Sequence, residues 1–188
     1  EDALVMGMGF ATNSTFLGAL AMTECGSLAK RTLFVSDQLN HKSIVEGVKQ
    51  SSAKVIGFKH NNMHDLEKIL DRETRSGKWA KIVILVEGIY SMEGEFCRLR
   101  ETVSLKNKYR CYLWLDEAHS IGAVGPTGRG VSELFDVGNN LSSTIAVSHY
   151  LQDISRCRSI EVRSRPLSNL ISTRWLLHLC RFFVGPAV

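Results

Sequence analysis

The stretch Ile82-Val83-Ile84-Leu85-Val86 is apolar at every position and β-branched at four of five. A run that short, with no polar residue at alternate positions, predicts a strand covered on both faces. Working outward from it, Thr32-Leu33-Phe34-Val35 and Tyr112 to Leu115 read as further buried strands, and Lys54 to Phe58 as another strand. The intervening segments have helical spacing. Ser43 to Gln50 carries Ile44, Val45 and Val48; Met63 to Glu73 carries Met63, Leu66, Ile69 and Leu70; Glu101 to Tyr109 follows. This βαβα alternation predicts an α/β fold, a mostly parallel sheet with helices on both faces. Ligands of such sheets bind beyond the carboxyl ends of the strands.

The rhythm stops near Val137. Residues 1–137 are therefore expected to form a domain, and residues 138–188 a divergent, irregular tail with one helix near Thr173 to Phe182. Length and composition suit one globular domain with a real core. The tail holds six arginines and no lysine against Asp153 and Glu161, which accounts for the net charge of +4. Those arginines are scattered without aromatic interleaving, which argues against nucleic acid as a partner. Cys25, Cys97, Cys111, Cys157 and Cys180 form no CxxC pair, so neither a disulfide framework nor a zinc cluster is expected. The acidic start Glu1-Asp2 lacks a basic n-region, so no signal peptide is expected in this stretch, and no apolar run is long enough to cross a bilayer. An opening without methionine is expected of a fragment.

Four polar groups sit where this pattern puts ligands. Gly7 to Ser14 is glycine-rich and precedes the apolar stretch Phe16 to Met22. Glycines ahead of a helix favour a phosphate, although a turn capped by Asn13 or Ser14 explains them equally. Asp37-Gln38-Leu39-Asn40-His41 follows a strand and offers an imidazole to a planar ligand, or simply a capped helix start. Glu87 to Gly94, with Ser91, ends the clearest strand and fits a ligand loop or a plain connection. Asp116-Glu117-Ala118-His119 ends another strand and runs into a loop, Ser120 to Gly130. An aspartate at the mouth of an apolar strand pays desolvation unless a cation or proton donor meets it, and a protonated pyridine nitrogen is one such partner.

Two other chemistries fit less well. Asp-Glu-Ala-His occurs in helicases, but the phosphate loop G-x-x-x-x-G-K-[ST] is missing. His60 and His64 have a metal-compatible spacing, but no third ligand or catalytic glutamate accompanies them, so no metal is expected.

Taken in order, GMGFATNS, DQLNHKS, HNNMHDLEKIL, VEGIYSMEGE and LDEAHSIGAVGPTGRGV closely resemble the α-oxoamine synthases, and among them the catalytic-subunit type of serine palmitoyltransferase. The resemblance spans roughly residues 5–137. It implies the large domain of the pyridoxal-phosphate (PLP)-dependent transferase fold of aspartate-aminotransferase type, incomplete here. It also implies condensation of L-serine with a long-chain acyl-CoA, with loss of CO2, to give 3-ketosphinganine in sphingolipid biosynthesis. Carried onto matching positions, Gly9 and Phe10 would meet the cofactor phosphate and His41 would stack on its ring. Asp116 would pair with the ring nitrogen, His119 would touch the ring hydroxyl, and Glu87 and Ser91 would line the site. A hetero- or homodimer with a related subunit, at the cytosolic face of the endoplasmic reticulum membrane, comes with the resemblance.

One departure bears on activity. The family places its Schiff-base lysine in a T-x-[ST]-K segment after the Asp-Glu-Ala-His, whereas the last lysine here is Lys108. Arginine cannot substitute, because it stays protonated. The expectation is a truncated or frame-shifted, inactive family member, the alternative being a non-catalytic partner subunit. His119 and the full Asp-Glu-Ala-His loop speak for the catalytic type.

Overall fold

The computed structural model describes residues 8–21, 31–137 and 144–147. In chain order the elements are α1 (Gly9–Ala21), β1 (Thr32–Asp37), α2 (Lys42–Gln50), β2 (Lys54–Phe58), α3 (Met63–Arg75) and β3 (Lys81–Glu87). Then come β4 (Ile89–Tyr90), β5 (Glu95–Phe96), α4 (Leu99–Lys108), β6 (Tyr112–Asp116), α5 (Val131–Leu134) and β7 (Thr144–Val147). Every strand and helix expected between residues 32 and 115 is present, with ends shifted by no more than two residues.

Five strands form one sheet in the order β2-β1-β3-β6-β7, parallel at every pairing. β4 and β5 make a separate antiparallel hairpin. Successive side chains of a strand point to opposite faces, and the core divides accordingly. Leu33, Val35, Ile84, Val86, Leu113 and Leu115 pack with Leu66, Ile69 and Leu70 of α3 and with Leu99 and Val103 of α4. Phe34, Val83, Leu85 and Trp114 pack with Leu17 and Leu20 of α1 and with Ile44 and Val48 of α2. Both faces are covered, as continuous apolar strands require.

Crossover handedness explains which helix lies where. The step from β1 to β2 runs one way along the sheet and puts α2 on the second face. The steps from β2 to β3 and from β3 to β6 run the other way and put α3 and α4 on the first. A constant right-handed sense demands that switch of faces. The order therefore reverses between β1 and β3, the switch point outside whose carboxyl ends open α/β sheets bind ligands.

Two expectations are corrected. The glycine-rich segment is not a turn ahead of a helix: α1 begins at Gly9 itself, with the Thr12 N–H bonded to the Met8 carbonyl at 3.0 Å. Asn13 thus lies inside the helix rather than at its cap. Regular structure also continues past Val137, because β7 extends the sheet beside β6, with Leu113 opposite Thr144. The helix expected near Thr173 to Phe182 lies outside the described residues. No helix among the described residues is long and apolar enough to cross a membrane.

Candidate functional site

Three neighbouring strands end in a carboxylate: β1 in Asp37, β3 in Glu87 and β6 in Asp116. All three are buried, and Glu87 and Asp116 are register partners. Two N–H donors are among the groups that hold Asp116 in place. The Asn13 side-chain amide donates to Oδ2 at 2.7 Å, and the Ala118 main chain donates to Oδ1 at 3.0 Å. Each oxygen accepts an N–H, so both are fixed in place.

Glu87 accepts the main-chain N–H of His41, so it ties the β1–α2 connection across the switch point to β3. Burial pushes its pKa up to about 7; the His41 hydrogen bond opposes the rise, and Asp116 and Asp37 nearby add to it. A cation arriving among these strand ends would relieve that repulsion.

His41 is the N-cap of α2: its imidazole accepts the Ser43 N–H at 3.2 Å, and its Nδ1 lies 2.7 Å from the Ser43 hydroxyl. The ring stays exposed and stands edge-on to Phe10, with centroids 6.5 Å apart. The Asn13 amide also donates to the Ser43 hydroxyl at 2.9 Å. Helices α1 and α2 approach this closely because residue 47 is glycine. A Cβ there would lie 2.6 Å from the Asn13 carbonyl oxygen and 2.9 Å from the Ser14 Cα.

Glu117 and Glu133 shape the loop after β6. Glu117 is buried, with its pKa pushed up to about 7 by burial, and its Oε1 accepts the Ser132 N–H at 3.2 Å. Glu133 accepts from the Thr127 and Arg129 N–H groups at 3.0 and 3.1 Å. Gly130 fits against Glu117 only without a side chain: its φ is +83°, and a Cβ would fall 2.1 Å from the Glu117 Oε2.

The structure therefore brings Gly9, Phe10, His41, Glu87 and Asp116 to one end of the sheet. Glu87 is buried beneath His41 rather than lining a surface. His119 is exposed in the turn after β6, and Ser91 is exposed in the turn of the β4–β5 hairpin. Sequence reading missed Asn13 and Ser43 as site residues. A signal for Asn13 exists: it heads the buried stripe Asn13, Leu17, Leu20, Ala21, one polar residue on an apolar helix face.

His60 takes a structural place. Its Nδ1 is 2.9 Å from Asp37 and its Nε2 is 3.3 Å from Glu95. Burial draws its pKa down, but the hydrogen bonds and charge of Asp37 and then Glu95 outweigh that, and the net shift is upward. Asp37 also accepts the Leu39 and Asn61 N–H groups, so it is a clamp between loops.

The family described as aminotransferase class I and II matches residues 1–149. The chain belongs to that family. That family's fold accounts for the parallel sheet, and the match carries the likeness past Val137, through β7. The chain is 52% identical to human serine palmitoyltransferase 3 over 141 residues, covering 72% of this chain and 24% of that protein. It is 41% identical over 183 residues to long chain base biosynthesis protein 2b of Arabidopsis thaliana, covering 94% of this chain and 36% of that one. Among solved structures it resembles a lysine-to-alanine variant of serine palmitoyltransferase from S. paucimobilis with a bound PLP–myriocin aldimine. The TM-score is 0.65 and the identity 31%, with 77% of this chain and 35% of that one covered. The chain thus spans about a quarter to a third of the relatives it matches. Its fold is that of the PLP-dependent aminotransferases.

Proposed function

We propose that this chain forms the PLP-binding face of a serine palmitoyltransferase-like acyltransferase, which condenses L-serine with a long-chain acyl-CoA to 3-ketosphinganine. The observation that carries the reading is Asp116: a buried carboxylate at a strand end, its oxygens held by Asn13 and Ala118, beside a second carboxyl already pushed up to about 7. That donor set fits a protonated heteroaromatic nitrogen, which would supply the positive charge the strand ends favour. The likeness to serine palmitoyltransferases supplies the substrate class.

When bound, PLP supplies an electron sink for charge developing at the amino-acid α-carbon. Asp116 would keep the proton on the ring nitrogen. His41, exposed at the cap of α2, would stack on the ring and shield it from water. The first turn of α1, at Gly9 and Phe10, would offer its N–H groups to the phosphate, since the first turn of a helix leaves them outside the ladder. His119 would meet the ring hydroxyl, and Ser91 would approach from the hairpin. Pairing with a related subunit at the endoplasmic reticulum membrane belongs to the same proposal.

No residue from 109 to 188 is lysine. The chain is therefore proposed to hold PLP without a covalent link, and to be inactive alone. Titration with PLP, followed by visible absorbance, tests this. Saturable binding that weakens at least tenfold in Asp116→Asn is expected, the loss of one charged pairing. Borohydride treatment followed by peptide mapping should find no labelled lysine. Equal binding by Asp116→Asn would remove the role assigned to residue 116, and a labelled lysine would remove the claim of non-covalent holding.

A further inference from the structure

We infer that Asn13 and Ser43 are positioning residues that hold the His41 imidazole in one tautomer, with its proton on Nε2, and couple that choice to the Asp116 carboxylate. The geometry fixes the direction of each hydrogen bond. Asp116 Oδ2 only accepts, so the atom 2.7 Å away must be the Asn13 amide nitrogen rather than its oxygen. The same nitrogen has a second hydrogen, and the Ser43 oxygen lies 2.9 Å from it. At the far end, the Ser43 main-chain N–H points at His41 Nδ1 from 3.2 Å. Because an N–H cannot donate to another N–H, Nδ1 must carry its lone pair. The Ser43 hydroxyl, 2.7 Å away, then donates to Nδ1 as well, sharing its single lone pair with the longer Ser43 N–H contact, while accepting from Asn13. The order runs without a break: Asp116 accepts from Asn13, Asn13 donates to Ser43, and Ser43 donates to His41.

Three features make this more than packing. Asn13 and Ser43 are fully buried, whereas the ring they orient is exposed. Glu87 fixes the His41 main chain from the opposite side, so side chain and backbone are both held. The α1–α2 contact that brings Asn13 to Ser43 exists only because residue 47 lacks a Cβ. The consequence for recognition is a ring face presented with one fixed dipole toward a flat ligand. Only that last step rests on the proposed PLP reading; the hydrogen-bond order does not.

Histidine-selective ¹⁵N NMR on the 188-residue chain, under mildly alkaline conditions where imidazoles are neutral, reads the tautomer directly. The His41 signal is assigned by its loss in His41→Gln. The expected spectrum has Nδ1 unprotonated and accepting, with the proton on Nε2. Ser43→Ala should lower the preference for that tautomer roughly five- to tenfold, the value of one hydrogen bond. Asn13→Ala should shift it the same way, and Ser43→Thr, which keeps the hydroxyl, should restore it. A proton on Nδ1 in the unaltered chain overturns the inference, and so does an unmoved ratio in a folded Ser43→Ala. If Ser43→Ala does not fold, the unaltered chain's spectrum decides alone. Failure to bind PLP with the Nε2 tautomer in place would sink the functional reading and leave the positioning role standing.

Discussion

Replacing Gly47 by alanine sets two effects of opposite sign against each other. Gly47 lies inside α2, and helix propensity alone predicts a gain of about 1 kcal/mol. The structure predicts a loss. The new Cβ would sit 2.6 Å from the Asn13 carbonyl oxygen, and ordinary contact begins near 3.4 Å, so α1 must retreat by roughly 0.8 Å. Such a retreat takes the 2.7 Å bond from Asn13 to Asp116 out toward roughly 3.5 Å, beyond useful length. Overpacking costs about 1–3 kcal/mol, and losing a hydrogen bond to a charged group about 1.5–3. After the propensity gain, a net loss of about 1.5–5 kcal/mol is expected. Urea denaturation followed by tryptophan fluorescence measures it, since Trp114 packs in the same cluster as α1 and α2. Gly18 provides the control: it lies in α1 with nothing within 4 Å of a new Cβ, so Gly18→Ala should stabilise by up to about 1 kcal/mol. A neutral or stabilising Gly47→Ala would refute the close α1–α2 contact, and with it the placement of Asn13.

Stability should fall as pH rises from about 5 to 8. Glu87 and Glu117 are each pushed up to about 7 from 4.5, mainly by burial, so the folded chain holds protons that the unfolded chain has released. Their stabilisation is complete below about 4.5 and is lost as pH climbs through about 7, on the order of 1–3 kcal/mol per group. Urea midpoints across that range check the sign, and Glu87→Gln should remove part of the slope while still accepting the His41 N–H; a midpoint that rises with pH would contradict the burial of both groups. Gly130→Ala should cost about 2–4 kcal/mol, because a positive φ and the Glu117 carboxylate both oppose a methyl group there. Faster amide exchange at Ser132, whose N–H caps onto Glu117, would report the opened loop, and unchanged exchange would argue against that packing.

The sheet was legible because its central strands are unbroken apolar runs, and a parallel sheet covered twice permits little else. β1, β2, β3 and β6 fall where the apolar runs put them. β7 escaped notice since Thr144 to Val147 is four residues long and is followed by no helical pattern. The β4 and β5 strands, two residues each, are below any period. Among site residues, Asp116 was readable from its place at the mouth of an apolar strand, and His41 from its place after one. Asn13 was less so: its spacing to Leu17, Leu20 and Ala21 marks an inward-facing position, but an asparagine near glycines also reads as a helix cap, and the tertiary contact with residue 116 decides between the two. Ser43 lies two residues from His41, but spacing alone says nothing of which atom donates.

Asn13 and Asp116 are separated by 103 positions in the chain. A bond of that span is closed only after the intervening strands have assembled, because its loop entropy is repaid by nothing local. During synthesis, Asn13 emerges long before its acceptor does, and α1 waits with a polar side chain on its apolar stripe. Maturation of the strand-end cluster is thus a late event in folding, and the arrival of residue 116 from the ribosome sets the earliest moment at which it can begin.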